Sequence, residues 1–184
     1  MTQRIDGKLL VAEPMLGDPN FDRSVVLVLE HTAEGALGVV LNRPTELEVS
    51  AVLSGWSGVA AEPAVVYVGG PVEQQGVLAL ARRKPGAEVP GWSPVLGDVG
   101  TLDLHRDPTQ VADGLAGVRF FAGYSGWDGR QLEAELAAGA WVVAEAAPGD
   151  VFLGEPRGMW RSVLARQGGE VSMLAHFPAH PSMN

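Results

Sequence analysis

The sequence predicts an α+β fold in a single domain, and three observations carry that prediction. Short apolar runs rich in β-branched residues outnumber helical segments along the chain. Strands and helices do not alternate strictly, which sets aside a doubly wound βαβ architecture. The 24 Gly and 13 Pro among 184 residues keep turns frequent and elements short. A chain of this length can bury a sizeable core as one domain, taken as 1–184, with its core over about 7–169 and a C-terminal tail at 175–184.

The elements follow in order. Residues 7–12 form a short apolar strand, and the loop after it, 13–22, carries two prolines and two aspartates as turn chemistry. Ser24 to Leu29 is a β-branched run suited to a strand buried on both faces. His31 to Gly35 closes a hairpin into the apolar run 36–41, which Pro44 terminates because proline cannot donate to a ladder. Leu47 to Leu53 is expected as a short helix capped by Thr45. Strands are expected at 64–68 and 76–81, an irregular loop over 85–97, and a strand over 99–104. Asp107-Pro108 has the form of an N-cap followed by proline at the first helical position. Residues 118–122 form a strand that leads into a tight turn at Gly123-Tyr124-Ser125-Gly126-Trp127. A helix over 129–138 ends at Gly139, strands follow at 141–144 and 151–153, and a last helix over 155–167 turns Trp160, Val163 and Leu164 inward.

Composition excludes several function classes. The 13 Lys and Arg against 22 Asp and Glu give a net charge of −9, which repels duplex DNA and anionic membrane surfaces. The densest basic run, Arg82-Arg83-Lys84, precedes Pro85-Gly86 and reads as a solvated turn. With no cysteine there is no disulfide, thiolate nucleophile or Cys-based metal site. No apolar stretch approaches a spanning helix and the N-terminal residues lack a signal core, so a cytoplasmic location is expected.

The search for chemistry gives mostly negatives. Ser125 and Ser57 each lack the second glycine of a nucleophile elbow, with Trp127 and Val59 in its place, so a serine hydrolase is rejected. His176 and His180 are separated by Pro178, which denies them a common helical face for a metal. No phosphate-binding loop motif is present. Gly69-Gly70 offers backbone N–H groups to an anion in principle, although a sharp turn is the commoner use. Two readings remain for the polar residues Asp18, Asp22, Arg23, His31, Asn42 and Arg43 near strand ends: a converging recognition or acid–base group, or ordinary turn capping and ion pairing.

In order, the residues 7–14 GKLLVAEP, 18–26 DPNFDRSVV, 30–31 EH, 35–44 GALGVVLNRP, 69–72 GGPV, 123–127 GYSGW and 131–136 QLEAEL resemble the YqgE/AlgH family. Trp141, Trp160 and Gln167-Gly168-Gly169 continue the likeness, which spans Gly7 to about Gly169. One departure is Arg130, which stands where the family usually has glycine before Gln-Leu-Glu. The resemblance implies a branched, partly barrel-like mixed sheet flanked by a few helices. It implies no activity, although some members are described as regulators of alginate synthesis.

The functional expectation is a binding or regulatory protein acting through an unidentified protein or small-molecule ligand. Its surface would comprise Asp18, Asp22, Arg23, His31, Asn42 and Arg43, with a secondary surface at Gly69, Gly70, Tyr124, Trp127, Gln131 and Glu133. No metal, cofactor, membrane or direct nucleic-acid contact is expected. The alternatives are an acid–base or hydrolytic enzyme using His31 with Asp18 or Asp22, and a transcriptional regulator that acts indirectly.

Overall fold

The computed structural model describes residues 3–178. Ten strands carry the architecture among those residues: β1 (Leu9–Ala12), β2 (Val25–Thr32), β3 (Gly35–Val40), β4 (Pro44–Glu48), β5 (Val65–Val68), β6 (Val72–Arg83), β7 (Trp92–Leu96), β8 (Val99–Leu102), β9 (Leu115–Asp128) and β10 (Trp141–Ala144). They join in the order β10-β1-β2-β3-β9-β6-β8-β7, with β4 on β5 and β5 on β9. The sheet branches at β9, whose partners are β6 (antiparallel), β5 (parallel) and, over its last residues, β3. The result is the expected α+β fold, with a curled, half-barrel sheet.

The apolar runs explain the centre of the sheet. Along β1 and residues 25–28 of β2 successive side chains face opposite ways, and both sets are buried. Leu9, Val11, Val25 and Leu27 pack with α4 (Met159–Ala165) and its Trp160, Val163 and Leu164. Leu10, Val26, Val28 and Val40 pack on the other face against Leu132 of α3 (Gln131–Ala137) and Trp141. A third cluster gathers Trp56, Val66, Val111 of α2 (Pro108–Val111), Val118 and Phe120. Each such aliphatic side chain contributes about 1.5–3 kcal/mol by leaving water. Asp107 caps α2 as its sequence indicates, accepting from the Thr109 N–H at 2.9 Å. Gly139 ends α3 in the left-handed conformation at φ 77.

Several expectations are corrected. Residues 47–53 are not one helix: Pro44 opens β4, and the chain then makes one turn of α1 (Val49–Val52) and a 3₁₀ turn over Ser54–Val59. Thr45 is no cap, because its hydroxyl donates to the Val66 carbonyl across the β4–β5 pair. The expected loop 85–97 contains β7, and the expected strand 151–153 lies in a 3₁₀ turn, Pro148–Phe152. A further helix, α5 (Gly169–Met173), follows α4. His180 lies outside the described residues.

The largest correction concerns the expected tight turn 123–127, which lies inside the continuous strand β9. Gly123 adopts φ 71, and a Cβ there would stand 2.5 Å from the Gly70 carbonyl oxygen. At this point the β6–β9 register shifts, from Val77↔Ala122 to Val72↔Tyr124, and β9 passes from β6 to β3. The glycine marks a bend within a strand rather than its end.

Candidate functional site

Four of the six residues of the expected polar surface meet at one end of the sheet. Arg23 precedes β2, Asn42 and Arg43 follow β3, and Asp22 flanks them. The two chain segments are tied by Asn42, whose Oδ1 accepts from the Val25 N–H (3.0 Å) and whose Nδ2 donates to the Arg23 carbonyl (2.9 Å). Together with Arg157, Trp160 and Arg161 they line a cavity of about 220 Å³.

Three of its four guanidinium groups are fixed by main-chain carbonyls. Arg43 donates to the carbonyls of Asn20, Pro19 (3.3 Å) and Asp22 (3.0 Å), gathering the loop before β2. Burial pulls the Arg43 guanidinium below its ordinary pKa range, while Asp22 and Asp18 oppose that shift through space. Arg23 stacks over the Trp160 ring, 4.5 Å from its centroid, and donates to the Phe177 carbonyl at 2.7 Å. Its backbone is held at φ 53, a strained region for a side chain of this size. Arg161 donates to the carbonyls of Ala175 and Phe177. Arg157 is exposed and makes no hydrogen bond among the described residues. Among those residues, none of the four guanidinium groups lies within 4.0 Å of a carboxylate oxygen, whereas Arg4, Arg82, Arg106 and Arg166 each do. The pocket therefore concentrates unpaired positive charge on a protein of net charge −9.

The remaining two residues of that surface do not join the pocket's chemistry. Asp18 is exposed and caps its own turn, accepting from the Asn20 N–H at 2.9 Å. His31 lies six residues beyond Val25 along β2, about 20 Å at ~3.3 Å per residue. The structure thus disfavours the alternative reading that pairs His31 with Asp18 or Asp22. Buried in the core, His31 takes a hydrogen bond at Nδ1 from the Ile5 N–H (3.3 Å), which places its ring proton on Nε2, facing Glu133 Oε1 at 2.7 Å. Asp6 accepts from the His31 backbone N–H. The imidazole fastens the N-terminal residues and α3 to β2, and both its nitrogens are occupied. The Glu133 carboxyl is held below its ordinary value by its own backbone N–H and then by His31.

The secondary surface divides in the same way. Gly69 and Gly70 are buried: a Cβ at Gly69 would come within 2.4 Å of the Gly123 carbonyl, and one at Gly70 within 2.2 Å of Tyr124 main-chain atoms. They allow β5 and β9 to approach and present no nest, since the Gly69 N–H is spent on the Ala122 carbonyl. Trp127 and Trp141 both donate their indole N–H to Glu135 Oε2 at 2.8 Å, and Gln131 donates to Oε1 at 3.1 Å. Tyr124 and Trp127 line an open groove of about 430 Å³ whose rim carries Glu30, Glu34 and Asp128. Ser125 is buried and donates to the Gly69 carbonyl, in keeping with the rejected nucleophile elbow.

Sequence reasoning missed Arg157 and Arg161, because the last helix was read only for its apolar face. Their spacing of four, with Trp160 between them, was the available signal. It also missed Arg119, a fully buried guanidinium in β9 that donates to Tyr67 Oη (2.8 Å) and to the carbonyls of Glu62, Pro63, Val151 and Leu153. Desolvation lowers its pKa and raises that of Tyr67. All its donors are spent on structure, so it clamps loops rather than facing a ligand.

Fold and site together define a class: a one-domain α+β protein on a branched, curled sheet, with an arginine-lined pocket where β2 and β3 meet the C-terminal helices. The chain belongs to the AlgH-like family, whose model matches residues 9–172. A UPF0301 protein of Streptomyces avermitilis is 50% identical over 184 residues, covering 98% of this chain and 95% of the relative. A Mycobacterium tuberculosis UPF0301 protein is 44% identical over 181 residues, covering 97% and 90%. Among solved structures, a Corynebacterium diphtheriae protein superposes with a TM-score of 0.89 at 30% identity, covering 96% of this chain and 94% of that one. The solution structure of the Pseudomonas aeruginosa AlgH protein gives a TM-score of 0.70 at 30% identity, covering 98% and 100%.

Proposed function

We propose that this chain is a binding module that recognises an anionic group, on a small ligand or on a protein partner, through the pocket formed by Asp22, Arg23, Asn42, Arg43, Arg157 and Arg161. One observation carries the reading: four guanidinium groups border a single cavity and none has a carboxylate partner among the described residues. Guanidinium forks match carboxylate and phosphoryl oxygens in pairs, and groups already held on carbonyls lose little freedom on binding. Any regulatory role of such a protein runs through that ligand or partner. The net charge of −9 opposes DNA, and no α-helix among the described residues exceeds the seven residues of α3 and α4, too short for a recognition helix.

Arg157→Gln is the discriminating variant, because it removes a charge without removing a side-chain hydrogen bond among the described residues. Calorimetric titration at low salt with phosphate, pyrophosphate and citrate is expected to give binding to the wild type. The variant should bind about tenfold more weakly with an unchanged melting temperature. Absence of binding by all three anions would overturn the reading.

A further inference from the structure

Resting on that anion-pocket reading, we infer that the preferred ligand group is a diphosphate rather than a single phosphate or carboxylate. Charge count supplies the first argument. Four guanidinium groups and the Asp22 carboxylate leave three positive charges on the cavity wall. A single carboxylate would leave two of them uncompensated. One phosphoryl group carries about −1.5 to −2 at neutral pH, so two adjacent phosphoryl groups match the wall and one does not.

Size and surface supply the second. The cavity of about 220 Å³ has room for several waters and so for a diphosphate. Among the described residues the pocket's one aromatic ring, Trp160, is already committed: its Nε1 donates to the Ala12 carbonyl at 2.8 Å, and its ring lies under Arg23. Among those residues no open aromatic face remains for a base or an apolar tail. Whatever the diphosphate is attached to therefore projects into solvent, past the exposed Arg157 and Arg161.

The donors supply the third. Arg43 is anchored on the loop before β2, while Arg23 and Arg161 converge on one carbonyl, that of Phe177. The fixed cations are thus held on two chain segments, the loop before β2 and Phe177. Two linked phosphoryl groups offer more oxygens to these separately held forks than a single tetrahedral centre does.

Pyrophosphate, ADP, phosphate and citrate, titrated separately into the wild-type chain and into Arg157→Gln at low ionic strength, test the inference. Pyrophosphate or ADP should bind at least tenfold more tightly than phosphate, and Arg157→Gln should lose about tenfold for the diphosphates. Pyrophosphate tighter than ADP assigns the free anion, and ADP equal or tighter assigns a diphosphate carried on a larger molecule. Arg157→Lys, which keeps the charge but not the fork, should recover part of the loss. Equal affinity for phosphate, citrate and pyrophosphate would overturn the diphosphate assignment while leaving the anion pocket standing. No binding by any of the four would overturn both.

Discussion

Arg130 and Glu133 sit three residues apart, and each carries a separate test of how local conformation and charge are used. Arg130 immediately precedes α3 at φ 67, a left-handed backbone that costs a side-chain-bearing residue about 1 kcal/mol or more. Glycine adopts this conformation without that cost, so Arg130→Gly should raise stability by about 1 kcal/mol in urea unfolding. Glu133 makes the pH argument. Its folded pKa is depressed below the ordinary 4.5, so the unfolded chain binds more protons in that window and stability rises with pH there. The contribution is present above the ordinary value and lost as pH falls through the depressed one. Glu133→Gln still accepts from His31 Nε2–H but does not titrate. Its melting temperature should fall less steeply than the wild type on acidification, with a residual slope from Asp6, whose carboxyl is held low chiefly by Arg4.

The elements were legible where burial alone decides them and illegible where pairing does. β1, β2, β3 and β5 read as strands because their apolar β-branched runs suit a two-sided core. β4 was hidden because Glu46, Leu47 and Glu48 favour a helix in isolation, and only pairing with β5 overrides that preference. β7 was hidden by Pro94, which an edge strand beside β8 tolerates. Gly123 misled for a related reason, since a left-handed glycine reads as a turn although here it bends β9 between its partners. Gly123→Ala should therefore cost about 2 kcal/mol or more, measured by urea unfolding, because it adds left-handed strain to a clash with the Gly70 and Val72 carbonyls. A cost under about 0.5 kcal/mol would mean that the bend does not depend on glycine. The site was half legible by the same logic. Asp22, Arg23, Asn42 and Arg43 were visible as polar residues at strand ends. Arg157 and Arg161 reach them only through the packing of α4 on β1, anchored by Trp160 on the Ala12 carbonyl.

At the scale of the whole molecule, an acidic protein carries a basic cavity. The net charge of −9 slows encounter with anions in general, while the local arginines hold those that arrive. Affinity should accordingly fall as salt rises, less steeply than for a purely exposed patch because the groups are partly buried. The most direct test follows the arginine side-chain Nε–H signals by NMR during a pyrophosphate titration. Signals of Arg23, Arg43, Arg157 and Arg161 should shift together along one saturable curve, while those of Arg4, Arg82, Arg106 and Arg166, already paired with carboxylates, stay in place. Shifts confined to the paired arginines, or none at all, would contradict the account.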